Sequence, residues 1–303
     1  MIKLLSNDQI DRAQWDKAIE SSPYGLIYAL SWYLDIVCPD WEALVSDNYE
    51  QVMPLPVKNK MGLLKYPILP TFTQQLGIFG QKIINSELTS EFVKNVKRQY
   101  NYSNFSLNAS NDISLLNDCC HNSGVTYILN LEKTITDIEN AFSSNHVRNI
   151  KKAKEYKLNY ASIPDIDFFL KFIDKHLPVK FGKKELKSAY HLYHEAFKRG
   201  MAEIVATSDE DKNILSMALW FNFNKRRTYI LPATSSEGKE KRANFWLIYQ
   251  YILLHANKDE VIDFEGSRIE SLARFYAGFG AEKTLFPHFH FNNLPFPLKM
   301  VKK

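Results

Sequence analysis

At 303 residues the chain exceeds one average domain, and 45% hydrophobic with 24% charged residues excludes a disordered chain. A net charge of +4 excludes nucleic-acid binding by bulk charge alone, and no run approaches the ~18 apolar residues that span a bilayer. Of three cysteines (Cys38, Cys119, Cys120) two are adjacent. A vicinal pair bridges only under strain, so reduced thiols are expected, and with no signal-peptide core at the N-terminus a cytoplasmic location.

In chain order, helical spacing over residues 10–22 and 28–37 is followed by strand-like runs at 41–48, 50–57 and 62–69, with residues 59–62 as a hairpin turn. An apolar extended loop, residues 66–79, carries the amides Gln74 and Gln75. A helix at 89–100 and strands at 104–110 and 124–131 complete a first α+β unit. A second unit opens with a helix at 137–156, then a strand at 158–163 and two helices at 165–177 and 183–200. Three strands (202–208, 214–223, 226–235), a loop at 235–242, a very apolar helix at 243–256, a short acidic strand at 261–267 and a helix at 269–281 close it. The expected fold class is α+β, in two tandem domains, each a mixed, mostly antiparallel sheet flanked by helices, divided as 1–131 and 132–303.

Residues 226–256 form a strand, a loop and a helix start, an order that often binds phosphate through free N–H groups of the first turn. Lys239, Lys241 and Arg242 lie in that loop beside Gly238, and Asn244 either caps the helix or faces the anion. In the acidic strand, alternation puts Asp263 and Glu265 on one face. There they serve as proton acceptors or pair with Lys or Arg across the sheet. Tyr276 falls on an apolar helical stripe with Ile269, Leu272, Ala273 and Ala277, which also suits simple packing. Between residues 141 and 160 the net charge is +4, equal to that of the whole chain. Arg148, Lys151 and Lys152 share one helical face there, with Val147, Ile150 and Ala153 opposite, a face suited to phosphates or merely to solvent. His191 with His194 and His288 with His290 lack a third ligand at recognisable spacing, so no metal is expected.

Three stretches taken together resemble the GNAT acyltransferases, and more closely their FemAB-like branch, whose members carry two GNAT-like domains in tandem. FSSNHVRNIKKAKEYKL is similar to the basic helix that opens the branch's second domain. VIDFEGS is similar to its acidic strand ending in Gly and a small polar residue, here Gly266 and Ser267. ARFYAGFGA is similar to its closing helix. The likeness runs over roughly residues 136–285. Two departures stand out. KEKRAN, residues 239–244, replaces the GNAT pyrophosphate signature, with Arg242 and Asn244 at positions for small residues. Tyr276 stands where FemAB-like enzymes place a lysine and where ordinary GNAT enzymes often have a tyrosine acting as acid toward a leaving thiolate.

The resemblance implies an N-acyltransferase that moves an acyl group from an acyl-coenzyme A to a primary amine of a small molecule or peptide. In that reading Glu265 is the base, with Asp263 beside it, and Tyr276 the acid. Gly238, Lys239, Lys241, Arg242 and Asn244 hold the donor, while Arg148, Lys151, Lys152, Gln74, Gln75 and Ser267 contact the acceptor. The alternative donor is aminoacyl-tRNA, used on a cell-wall precursor as FemAB proteins do. A catalytically silent GNAT-like binding protein is the third expectation.

Overall fold

The computed structural model describes the whole chain except residues 61, 63, 117, 178–181, 267, 268, 297, 298 and 300–303. It forms two compact units: Met1–Gly124 together with Leu285–Lys303, and Val125–Thr284. The division expected from sequence runs the second domain to the C-terminus, whereas the final segment belongs with the first unit.

The first unit contains β1 (Lys3–Leu5), α1 (Arg12–Glu20), α2 (Ser31–Val37), β2 (Glu42–Val45), β3 (Gln51–Leu55), β4 (Val57–Lys60), β5 (Leu64–Pro67), β6 (Phe79–Gly80), α3 (Ser86–Gln99) and β7 (Tyr102–Ser106). Helices start where a side chain takes orphan N–H groups: Asp11 accepts from Ala13 and Gln14, and Asn85 from Leu88. The order β1-β2-β3-β6 is antiparallel throughout, and β4 pairs antiparallel with β5 from Val57↔Pro67 to Lys60↔Leu64, so Asn59 and Lys60, expected in a turn, lie on the strand, while residue 61 is outside the described residues. Phe92, Val93 and Val96 of α3 form the core with Leu44, Met53, Leu55 and Phe105, and Cys119 and Cys120 join them as buried free thiols.

Strand β8 (Cys120–Asn130) starts in the first unit and ends in the second. There follow α4 (Ile135–Asn140), α5 (Ser144–Glu155), β9 (Asn159–Ser162), α6 (Ile166–His176), α7 (Lys183–Lys198), β10 (Ala202–Ser208), β11 (Ile214–Phe223), β12 (Arg226–Thr234), α8 (Ser236–Glu240), α9 (Ala243–His255), β13 (Val261–Asp263) and α10 (Glu270–Ala277). Finally β14 (Glu282–Asn292) runs back into the first unit and pairs with β7. Within the second unit the strand order is β8-β13-β12-β11-β10-β9. Asn224 and Lys225, both at positive φ (51° and 61°), turn β11 into β12, the two-residue hairpin geometry that matches strand twist. All these pairings are antiparallel except β12 with β13, whose parallel register needs the crossover that α8 and α9 supply.

Helix α9 buries Leu247, Ile248, Tyr251 and Ile252 completely against this sheet. Its apolar sequence suggests burial all round, but Leu253 and Leu254 face outward, Leu254 at 57% exposure. Among the described residues no helix is long and apolar enough to cross a membrane.

Candidate active site

Among the described residues of the second unit one strand pair is parallel, and the candidate site is built from it. β12 and β13 are in register only over Arg226↔Val261, Arg227↔Ile262 and Thr228↔Asp263. The chain then stays with β8, because the Phe264 N–H donates to the Tyr127 carbonyl at 3.0 Å. β12 turns away at a bulge, where Ala218 alone stands against Leu231 and Pro232 as the register passes from Leu219↔Ile230 to Met217↔Ala233. Leu231 sits at φ 43°, a conformation that bulky residues seldom adopt. The carboxyl ends of parallel strands are where open α/β sheets accept ligands, since backbone groups and helix starts converge there.

Glu265 lies at this end, not on the strand as alternation predicts. β13 stops at Asp263, and Glu265 and Gly266 turn the chain at φ 55° and 56°. Gly266 is required: a Cβ there would lie 2.1 Å from the Val125 carbonyl oxygen. Asp263 holds the turn. Its buried carboxylate accepts from Arg226 Nη1 at 2.7 Å, from the Glu265 N–H at 2.8 Å, and from the Thr126 hydroxyl. Both oxygens are engaged, so Asp263 is a positioning group; the cross-sheet partner weighed for it in the sequence is Arg226, the nearest cation along the neighbouring strand. Ser267 lies outside the described residues.

Tyr276 comes from α10 and is 8% exposed. Its ring stacks on Phe264, centroids 5.0 Å apart at 14°, with Tyr127 and Tyr229 at 6.3 and 6.4 Å. Burial first, and the Glu265 charge second, push its phenol up to about 12. It is therefore a protonated donor at neutral pH, and no group among the described residues accepts its hydrogen bond. Burial first, and the Glu265 charge second, also raise the phenol of Tyr193 on α7.

Helix α10 is fixed by a residue that sequence reading missed. His146 is buried on α5, its Nδ1 2.9 Å from the Ser143 hydroxyl and its Nε2 2.8 Å from the Phe275 carbonyl. Its ring lies against Phe245, Phe275 and Phe279, and a Cβ on Gly278 would fall 1.9 Å from it. Val147, placed on the inner face by the helical wheel, is 51% exposed, and His146 takes that role with Ile150 and Ala153. A histidine within a basic run gives no sign of burial by itself.

The donor segment also differs from expectation. Residues 235–242 are not an open loop: Ser235 caps α8 by accepting from the Gly238 N–H at 3.0 Å. Gly238 packs against β11, where a Cβ would lie 2.2 Å from the Leu215 carbonyl oxygen, so its role is close packing. Lys241 is held by Glu237 at 2.6 Å and Asp209 at 3.4 Å. Arg242, in the left-handed region at φ 61°, donates to the Lys239 carbonyl at 3.0 Å. The Asn244 side chain accepts from the Tyr229 hydroxyl at 2.7 Å. Only Lys239 of the three cations projects freely to solvent.

On α5 the reverse holds. Arg148, Lys151 and Lys152 are exposed and none has an ion-pair partner among the described residues; Arg148 donates only to Asn145. Gln74 and Gln75 belong to the first unit, where buried Gln75 accepts from the Ala109 N–H at 3.1 Å and donates to Gln74 at 2.9 Å.

No family model and no curated protein sequence matches the chain. Solved structures do. FemX superposes with a TM-score of 0.70 over 99% of both chains at 13% identity. The C-terminal domain of a putative lysylphosphatidylglycerol synthetase from Agrobacterium fabrum gives 0.56 over 98% of this chain and 95% of that one, at 12% identity. L-PGS from Bacillus licheniformis gives 0.54 over 96% and 95%, at 12% identity. The chain has a FemAB-type, GNAT-like fold. What carries this FemAB-type likeness is backbone course, because at 12–13% identity few side chains correspond. Thr126, Arg226 and His146, which set the Glu265 turn and α10, therefore rest on this chain's own geometry.

Proposed function

We propose that the chain transfers an aminoacyl group from the 3′ end of a tRNA to a primary amine, using Glu265 and Tyr276 in its second unit. The observation that supports the proposal is the turn beyond β13, which sets Glu265 at the open end of the β12–β13 pair next to Phe264, on whose ring Tyr276 stacks at 5.0 Å. The neutral amine attacks the ester carbonyl carbon, forming a C–N bond, and Glu265 takes the amine proton. The C–O bond to the ribose then breaks, and the Tyr276 phenol gives its proton to the departing oxygen, to be restored from Glu265 through solvent.

The choice of donor follows the free cations. A tRNA is held through its phosphates, and the α5 face offers three unpaired cations to meet them. Names borne by structures of the same fold, lysylphosphatidylglycerol synthetase among them, agree with aminoacyl chemistry. A thioester of coenzyme A is the second reading, favoured by one observation: the N–H groups of Ala243, Asn244 and Phe245 at the start of α9 have no acceptor among the described residues.

Discharge of aminoacyl-tRNA to Nα-acetyl-lysine, measured in single turnovers, tests the roles. Glu265→Gln and Tyr276→Phe should each slow transfer by about 10²–10⁴-fold, with unchanged thermal unfolding. Wild-type rates in both would remove the assignment. Binding of tRNA should weaken with salt, and the triple change of Arg148, Lys151 and Lys152 to Ala should flatten that slope by about 0.7–0.9 for each phosphate no longer neutralised. Salt-independent affinity for acetyl-coenzyme A, without tRNA binding, would favour the thioester.

A further inference from the structure

A cavity of about 340 Å³ lies in the first unit, between the exposed face of α1 and the end of the β3–β6 pair. We infer that it binds a small polyhydroxylated anion, a sugar phosphate or a sugar acid. This site is independent of the transfer chemistry proposed for the second unit.

One wall is a helical stripe. Gln14, Lys17 and Ala18 of α1, with Ser21 just after it, recur at three- and four-residue spacing and so share a face. The rest of the lining comes from residues 48–51, which lead into β3, and from Gln81 and Lys82, which follow β6. Gln51 pairs with Gly80, so these two segments lie side by side. Asn48 and Tyr49 are both left-handed, at φ 54° and 60°. For a tyrosine that conformation is an outlier, and it persists only where the surroundings impose it. Here the Tyr49 hydroxyl accepts from the backbone N–H of Asp11 at 2.9 Å, and Asp11 is the residue that caps α1. The turn is therefore tied to the start of the helical wall, which sets the width of the cavity before a ligand arrives.

Uncommitted side chains decide the class of occupant. Glu50, the one carboxylate among the lining residues, lies 3.9 Å from Lys82. Lys17 has no ion-pair partner among the described residues, so one positive charge is left unanswered. The side-chain amides of Asn48 and Gln81 make no hydrogen bond among the described residues. Gln51 accepts through Oε1 from the Ser46 hydroxyl at 2.9 Å, which leaves its Nε2 to donate. A free amide offers a donor and an acceptor in one plane, and neighbouring hydroxyls of a sugar ring return the same pair. An apolar occupant would strip water from these amides without replacing it. A cation would meet Lys17. A bare inorganic anion could answer Lys17 but would leave the amides to water.

Nitrogen-15 NMR of the full chain, titrated separately with D-glucose 6-phosphate, D-glucuronate, D-glucose and inorganic phosphate, tests this. At least one of the two sugar anions should shift the side-chain NH₂ resonances of Gln51 and Gln81. It should bind about fivefold more tightly than glucose or phosphate, and the tighter of the two identifies the anionic group. Lys17→Met, which keeps the aliphatic stem, should weaken that ligand about two- to fivefold and leave glucose unchanged. Gln81→Ala should weaken the sugar anion and glucose alike, about two- to tenfold. Both positions are exposed, so chemical unfolding should match wild type. Phosphate bound as tightly as the sugar anions would reduce the cavity to an anion patch and overturn the inference. Affinities unmoved by both variants, or no shift of these amides with any of the three sugars, would overturn it as well.

Discussion

His146 shows how one side chain can set the helix that carries Tyr276. Both ring nitrogens are hydrogen-bonded, and the ring fills a gap that only Gly278 leaves open. Burial lowers its pKa below the ordinary 6.5. Below that value the unfolded chain binds a proton that the folded ring refuses, so stability falls as pH drops from about 6.5 toward the folded pKa. His176 and His255 shift the same way and add to the trend. In urea unfolding between pH 7.5 and 5.5, His146→Gln should be less stable than wild type at pH 7.5. Its stability should also fall less steeply with acid, by up to about 1.4 kcal/mol per pH unit, the value of one proton. Parallel curves would mean that His146 titrates normally in the fold.

Elements were legible in the sequence to the degree that their signals are local. Three adjacent strands at 202–235 show in β-branched and aromatic runs with a two-residue turn, and α9 shows in its mostly apolar residues. What distant residues decide did not show. Glu265 reads as strand by alternation, yet the Asp263 carboxylate, fixed by Thr126 and Arg226, pulls the backbone into a turn; those partners are 137 and 37 residues away. The open phosphate loop became α8 because Ser235 caps it and Asp209, 32 residues earlier, takes Lys241. α9 itself divides by face in a way its composition hides. Leu247→Ala, at a fully buried position, should cost about 2–5 kcal/mol. Leu254→Ala, seven residues on and 57% exposed, should stay within about 0.5 kcal/mol. Similar losses in chemical denaturation would mean that the outer face of α9 is covered in solution.

At the scale of the whole molecule, sequence order and compactness disagree. The second unit is one continuous segment, Val125–Thr284, whereas the first is closed by residues from the end of the chain. β14 supplies the antiparallel partner of β7, from His288↔Ser106 to Asn292↔Tyr102. It also brings Phe289 and Phe291, 0% and 7% exposed, into the core around α3. A fragment of residues 1–124 lacks both, leaving β7 without that ladder and Phe105 without the edge-on ring of Phe289, 5.4 Å away. Two fully buried Phe side chains are worth about 3–6 kcal/mol by area, a large part of the 5–15 kcal/mol that stabilises a typical domain. The fragment should therefore unfold without a cooperative transition, by near-UV circular dichroism in urea. Fusing residues 285–303 to it through a flexible linker should restore a sigmoidal transition, since the linkage replaces only covalent order. A cooperative transition in the unfused fragment would show instead that β14 adds little to the first unit, and that its core is complete before the chain returns.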